Sequence, residues 1–257
     1  MKLIYLKQLF ALLVLAICAW LLLHYHKQIP DDVYPYLLNL APELILECQT
    51  EADNLLSDSW SDLLAVKSSL PEDQVAYLTR QIKNKTPLKS LDWGRLDNNW
   101  RNLIRKRKSI LENYPYFKPS QYAFPVSGKV WYEDSFGADR EGGTRKHEGT
   151  DLFGQEGTPI ISVCPGIIER LGWNRLGGER VGVRGDDGNY YYYAHLQQIS
   201  PQLKVGNSVQ KGEYLGAMGH TGDALTTPDH LHFGIELADG KWINPYTFLV
   251  VWQGNPK

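Results

Sequence analysis

Cysteine is scarce in this chain of 257 residues: Cys18, Cys48 and Cys164 are the only three, and their spacing matches no metal motif. That excludes a cysteine-built zinc site and a disulfide framework. Cys164 lies in the apolar run PIISVCPGII and reads as a small buried hydrophobe, so no disulfide is expected. An excess of positive charge is also missing. The formal net charge is −2, with 12 basic against 13 acidic side chains in residues 31–118 and 12 against 16 in 119–257. Neither part carries the basic footprint of a nucleic-acid binder, and no nucleic-acid partner is expected. The cluster Arg105, Lys106, Arg107, Lys108 is a local exception. Trp100, Leu103, Ile104, Ile110 and Leu111 keep amphipathic spacing around it, so it reads as the solvated face of a helix.

Long apolar runs are rare, with one exception. The N-terminus has lysines at 2 and 7 and then 15 uninterrupted apolar residues, Leu9 to Leu23. Counted from Leu3, the stretch 3–23 is long enough to cross a bilayer, with Lys7 snorkelling back to the interface. No small-x-small cleavage site follows, and bulky Ile17 before Cys18 argues against a lipoprotein signal. The segment 1–27 is therefore expected to be an uncleaved signal anchor, making the chain a single-pass membrane protein. Lys2 and Lys7 against Lys27 place residues 28–257 on the extracytoplasmic side.

Glycine is nearly absent from the first half: Gly94 alone precedes Gly128. Residues 31 to about 113 read as helical, with breaks near Asn54, Ser68–Pro71, Lys85–Pro87 and Asp92–Gly94 that imply three or four short helices. Pro71, Glu72 and Asp73 supply a helix-start signature. The stretch NYPYFKPSQYAFPVSG (113–128) reads as a linker. From there the composition reverses, and all but two of the 23 glycines lie in 128–240. Short apolar runs bounded by turn residues indicate an antiparallel β domain over 119–257. DDGN (186–189), between RVGVR and YYYYAHL, reads as a β-hairpin turn. The fold class expected is mainly β, preceded by a transmembrane helix and, over 28–118, an α-helical segment.

Histidine is spent sparingly. In TTPDHLHFGIEL (226–237), His230 and His232 share one face of a strand, while Leu231, Phe233, Ile235 and Leu237 take the other. Two imidazoles side by side suit a metal site or an acid–base pair, yet a lone H-x-H is more often two surface histidines on a half-exposed strand. KHEGTDLFGQEGTPI adds His147 and Asp151, which share a face at spacing i, i+4, and its glycines argue for extended structure. His147-Glu148 begins an H-E-x-x-H pattern, but Asp151 stands where the second histidine belongs, so a helical zincin is disfavoured. YYYYAHLQQ adds His195, which alone reads as an ordinary strand-end histidine.

Taken together and in this order, H-x-x-x-D, Y-A-H-L and H-L-H resemble the lysostaphin-type (LytM-type) zinc endopeptidases, many of which cut bacterial cell-wall peptides. GTPIISVCPGIIERLGW, VGNSVQKGEYLGAMGHTG and WINPYTFL resemble the family's strand-and-turn skeleton, and the resemblance covers about 119–250. It implies one zinc ion held by His147, Asp151 and His232, with His195 and His230 beside it to move protons and stabilise the oxyanion. It implies peptidoglycan peptides as substrate. The helical segment, set off by the Pro-rich stretch, is expected to regulate access to the site, with positioning the site or recruiting a division-machinery or wall-enzyme partner as the alternatives. Three positions depart from the family's usual pattern: Asp229 where proline is common, Gly234 where glutamate is common, and His220 where a small polar residue is common. A catalytically silent scaffold or activator is the rival reading, although such relatives typically lack ligands that are all present here. A biotinyl- or lipoyl-carrier hairpin is disfavoured, because Lys211 is not at an exposed hairpin tip. Tyr190–Tyr193 and Trp173 are candidates to border a peptide groove.

Overall fold

Short helices fill the glycine-poor part of the chain: α1 (Val33–Leu38), α2 (Pro42–Asn54), α3 (Trp60–Lys67), α4 (Glu72–Lys83) and α5 (Asn98–Asn113). The computed structural model describes residues 30–55, 58–94 and 96–254. The expected anchor, residues 1–27, lies outside these. Among the described residues no helix is long and apolar enough to cross a membrane.

Five helices stand where three or four were expected, because Pro42 opens α2 in its first turn, where a missing N–H costs nothing. α4 begins after Pro71 with Glu72 and Asp73 in its first turn, as its start signature requires. Asp97 caps α5, accepting from the backbone N–H groups of Asn99 and Trp100 at 2.8 and 3.0 Å. α3 is buried from Trp60 to Val66 and packs on α2, α4 and α5.

The basic cluster on α5 is not merely a solvated face. Arg107 lies over the Tyr36 ring, 4.9 Å from its centroid, and donates to Ser69 Oγ. Lys108 pairs with Asp62 at 2.5 Å and Glu112 at 2.7 Å. Long basic stems cover apolar surface while their heads find partners, which amphipathic spacing alone does not reveal.

The segment expected to be a linker is also packed. Tyr116, Phe117 and Tyr122 are buried against a C-terminal helix, α6 (Tyr246–Gly254). Phe117 stacks on Phe248 at 5.1 Å and Tyr122 on Trp252 at 5.0 Å. Trp252 Nε1 donates to the Tyr116 carbonyl at 2.8 Å, and Gln49 of α2 donates to the Phe117 carbonyl at 2.5 Å. Residues 36–257 thus make one compact unit in which α2 and α6 touch.

The glycine-rich part is an antiparallel sheet. β1 (Asp139–Arg140) and β2 (Arg145–Lys146) form a small separate hairpin. The main sheet contains β3 (Thr150–Phe153), β4 (Pro159–Ile161), β5 (Gly166–Asn174), β6 (Gly178–Gly185), β7 (Tyr190–Ile199), β8 (Ser208–Val209), β9 (Tyr214–Met218), β10 (His230–Glu236) and β11 (Trp242–Ile243). Its spine runs β11-β10-β7-β6-β5-β8; β3 pairs with β10, and β9 with β4 and β7. DDGN closes the β6–β7 hairpin as expected. Asp187 in that turn accepts from Tyr122 and Tyr191 at 2.9 and 2.5 Å.

Period-two alternation divides β7. Tyr191 and Tyr193 are fully buried in the core with Phe233 and Leu231 of β10. Tyr190 and Tyr192 face the other way, beside His232 and Gly234. Among the described residues Cys48 and Cys164 are free and buried; burial pushes the Cys48 thiol up to about 12 and raises Cys164 as well, which disfavours the thiolate at both.

Candidate metal and catalytic site

Register brings the histidine motifs together. His232 of β10 lies directly opposite Asp151 of β3 and, on its other side, opposite Ala194 of β7. His147 precedes β3, and Gly149 lets the chain turn closely past the His232 ring. A Cβ at Gly149 would sit 2.5 Å from the Phe233 carbonyl and 2.6 Å from His232 Cε1. His195 follows Ala194 on β7 and adopts φ +62°, the left-handed region that a β-branched or bulky side chain rarely enters. Local strain of this kind persists where surrounding structure over-determines it, and it aims the ring into the cleft beside His230.

Three donor atoms converge. His147 Nε2, Asp151 Oδ1 and His232 Nδ1 lie 3.0 Å from one another on every side. His147 and Asp151 are buried, and His232 is partly exposed to the cleft. His147 Nδ1 is 2.9 Å from the Ser135 carbonyl, which takes the single proton of the neutral ring. That leaves the His147 Nε2 lone pair facing a carboxylate oxygen, an arrangement that calls for a cation between them. Tetrahedral bonds of about 2.0–2.1 Å put ligand atoms about 3.3 Å apart, close to the observed triangle. The residues therefore fit a divalent metal with two imidazoles, one carboxylate and an open side toward the cleft.

Electrostatics agree with that use. Burial alone would raise the Asp151 carboxyl, but the His147 and His232 imidazoles against Oδ1 outweigh it and hold the group far below the usual carboxylate range. Arg140 of β1 binds the second oxygen, Oδ2, at 2.5 Å and leaves Oδ1 to the histidines. Burial and the neighbouring His232 and His230 lower His195 to about 4, so it is neutral at pH 7. Burial also lowers His232.

His195 and His230 face each other with ring centroids 4.8 Å apart. Each is held by a carbonyl at Nδ1, from Thr221 for His195 and from Pro228 for His230, both at 2.8 Å. In the neutral rings this leaves Nε2 as the acceptor atom. His230 Nε2 is 4.0 Å from Asp151 Oδ1, so it stands next to the metal triangle without joining it.

All five residues singled out in the sequence line one cleft of about 770 Å³. Tyr190, Tyr192 and Trp242 line it too; Tyr191 and Tyr193 belong to the core, and Trp173 is exposed elsewhere. Arg140 was missed, since an arginine seven residues before His147 has no spacing signal. The carbonyls of Ser135, Thr221 and Pro228 leave no trace in side-chain motifs. Two of the atypical positions meet: His220 Nδ1 is 2.7 Å from Asp229 Oδ1, with Glu156 close by. Asp229 thus orients His220 rather than His230 or His232, because alternation turns it from the metal face. At the third, Gly234, a Cβ would meet the Trp242 ring at 2.6 Å, so glycine is what lets that ring lie over β10.

Comparison with known proteins fits this geometry. Residues 145–245 match Peptidase family M23. The L-Ala–D-Glu endopeptidase of Bacillus subtilis is 35% identical over 162 residues, 59% of this chain and 50% of that protein. The peptidoglycan DD-endopeptidase ShyC of Vibrio cholerae is 34% identical over 106 residues, 41% of this chain and 23% of its own length. The chain thus spans half or less of the length of these curated relatives. The crystal structure of lytM from Ruminococcus gnavus, a candidate glycyl-glycine endopeptidase, superposes with a TM-score of 0.55 at 24% identity, covering 81% of this chain and 87% of that one, and shares the mainly-β fold. Residues 145–245 of this chain are a Peptidase family M23 domain.

Proposed function

We propose that the chain is a zinc metalloendopeptidase that hydrolyses peptide bonds of bacterial cell-wall peptidoglycan. The observation that carries the reading is the 3.0 Å triangle of His147, Asp151 and His232 at the floor of an open cleft, with two further histidines beside it. The names of the relatives supply the substrate class. His147, Asp151 and His232 would hold the metal, which when bound polarises a scissile carbonyl and acidifies water. His195, neutral with Nε2 free, is the group placed to accept a proton from attacking water. The paired ring of His230 is a second such acceptor, and whichever ring takes the proton then donates from Nε2 to the developing oxyanion and delivers that proton to the departing amine. The carbonyls of Thr221 and Pro228 hold both rings in the tautomer this requires.

We place this activity outside the cytoplasm, on a chain anchored through residues 3–23; the support is the apolar run and the lysine distribution. The cleft is lined only by residues between 140 and 242, so among the described residues the helical segment does not cover it. That favours a spacing or partner-binding role for the helices.

Digestion of purified muropeptides by the zinc-supplied chain, with products identified by mass, tests the activity. New peptide fragments are expected. Stoichiometric zinc with no fragments would favour the scaffold reading instead.

A further inference from the structure

One sheet face forms the floor of the cleft, and its charge is uneven. The metal triangle lies on β10, and crossing the strands leads from His232 to Ala194 of β7, then to Arg180 at the β6 bulge, then to Gly172 of β5. One register step along, Gly234, Tyr192, Gly182 and Arg170 form a parallel row. Opposed residues of paired strands share a face, so both arginines stand on the face that carries His232. Arg175, in the β5–β6 turn, lines the cleft beside them.

The other cleft cations are paired. Arg140 binds Asp151, Arg145 binds Glu141 and Asp223, and Lys146 binds Asp139. Arg184, the next cation along β6, is engaged through two nitrogens by Glu169 at 2.6 and 3.1 Å. Arg170, Arg175 and Arg180 have no ion pair among the described residues. Arg170 lies over the Tyr190 ring face, 5.9 Å from its centroid. Arg180 Nη1 is buried with no hydrogen-bond acceptor, a donor left unsatisfied at the wall of an open cleft. Leaving such a group unpaired is costly, and a planar guanidinium is best matched by a carboxylate.

We propose that Arg170, Arg175 and Arg180 form a carboxylate subsite, so that the cleft selects acidic wall peptides over neutral, glycine-only ones. The inference rests on the peptidase reading above and names its substrate class. Strand spacing puts Arg180 about 10 Å and Arg170 about 16 Å from His232, or about three to five residues of extended peptide. The selected peptide thus carries its carboxylate within about five residues of the bond cut. Ala194, the small residue between His232 and Arg180, leaves the path across the floor open.

The test uses the full chain and two probes: a purified wall stem tetrapeptide with free carboxyls, and the same peptide with its carboxyls amidated. Cleavage is followed with zinc supplied, and binding is followed by calorimetry under chelation, where cutting stops. Amidation is expected to raise KM about tenfold with kcat little changed, and to weaken binding by a similar factor. Arg180→Gln should bring the two peptides to within about twofold of each other, and Arg180→Lys should keep part of the difference. The pair Arg170→Gln with Arg175→Gln is the second variant if Arg180→Gln does not fold. Equal KM for both peptides in the unaltered chain overturns the inference and leaves the peptidase reading standing. If neither peptide is cut, the peptidase reading falls and calorimetry decides: tighter binding of the acid form upholds the subsite, and equal or undetectable binding overturns it.

Discussion

His195 stays uncharged at neutral pH because burial and two neighbouring imidazoles disfavour its proton, and that has a consequence for stability. Its pKa is about 4 in the folded chain against an ordinary value of 6.5. Between these values the unfolded chain binds more protons than the folded one, so stability rises with pH through this window and is lost as pH falls. Thermal melts of the metal-free chain from pH 4 to 6.5 should show that slope, and His195→Asn should flatten it. An unchanged slope in the variant would place the dependence elsewhere. At this scale much was legible, since His147, Asp151, His195, His230 and His232 could be picked out from three short motifs. What was not legible is what holds them, because Ser135, Thr221 and Pro228 act through backbone carbonyls. Nor does spacing reveal Arg140, whose partner is found only when β1 folds over β3.

Among the elements, the pairing of β3 with β10 builds the metal site, and Gly149 is its tightest point. Gly149→Ala places a methyl against the Phe233 carbonyl and the His232 ring. The backbone contact cannot yield cheaply, so the variant should lose about 1–3 kcal/mol of stability. It should also bind zinc substoichiometrically, although residue 149 supplies no ligand. Full zinc occupancy with unchanged melting would contradict this. The β6–β7 hairpin and the start of α4 could be read from DDGN and from Pro71-Glu72-Asp73, since turn and cap chemistry is local. The division of Tyr190 and Tyr192 from Tyr191 and Tyr193 followed from alternation only once the core face was known. The extra helix break at Pro42 and the packing of Arg107 and Lys108 depend on tertiary partners, which spacing does not show.

For the molecule as a whole, the helical segment and the sheet are joined through the aromatic cluster on α6. Trp252 stacks on Tyr122 and donates to the Tyr116 carbonyl, so Trp252→Ala should cost about 3–5 kcal/mol in denaturant unfolding. A fragment limited to 119–257 would uncover Phe248, Val251 and Trp252, and should melt well below the full chain. Equal melting temperatures would mean the interface contributes nothing. The change in glycine content near residue 128 marks where helices give way to strands. It does not show that Tyr116, Phe117 and Tyr122 bind both sides, because aromatic residues between prolines look the same in a solvated linker and in a packed one.

The most direct test of the account is zinc content beside hydrolysis rate for single variants of the full chain. His147→Ala, Asp151→Ala and His232→Ala should each lose zinc and activity together, since each removes one corner of the triangle. His195→Ala and His230→Ala should keep close to one zinc per chain while the rate on wall peptides falls by roughly 10²–10⁴-fold, the usual contribution of an acid–base group. Zinc retained in His232→Ala but lost in His230→Ala would contradict the account, by exchanging the roles of the two histidines.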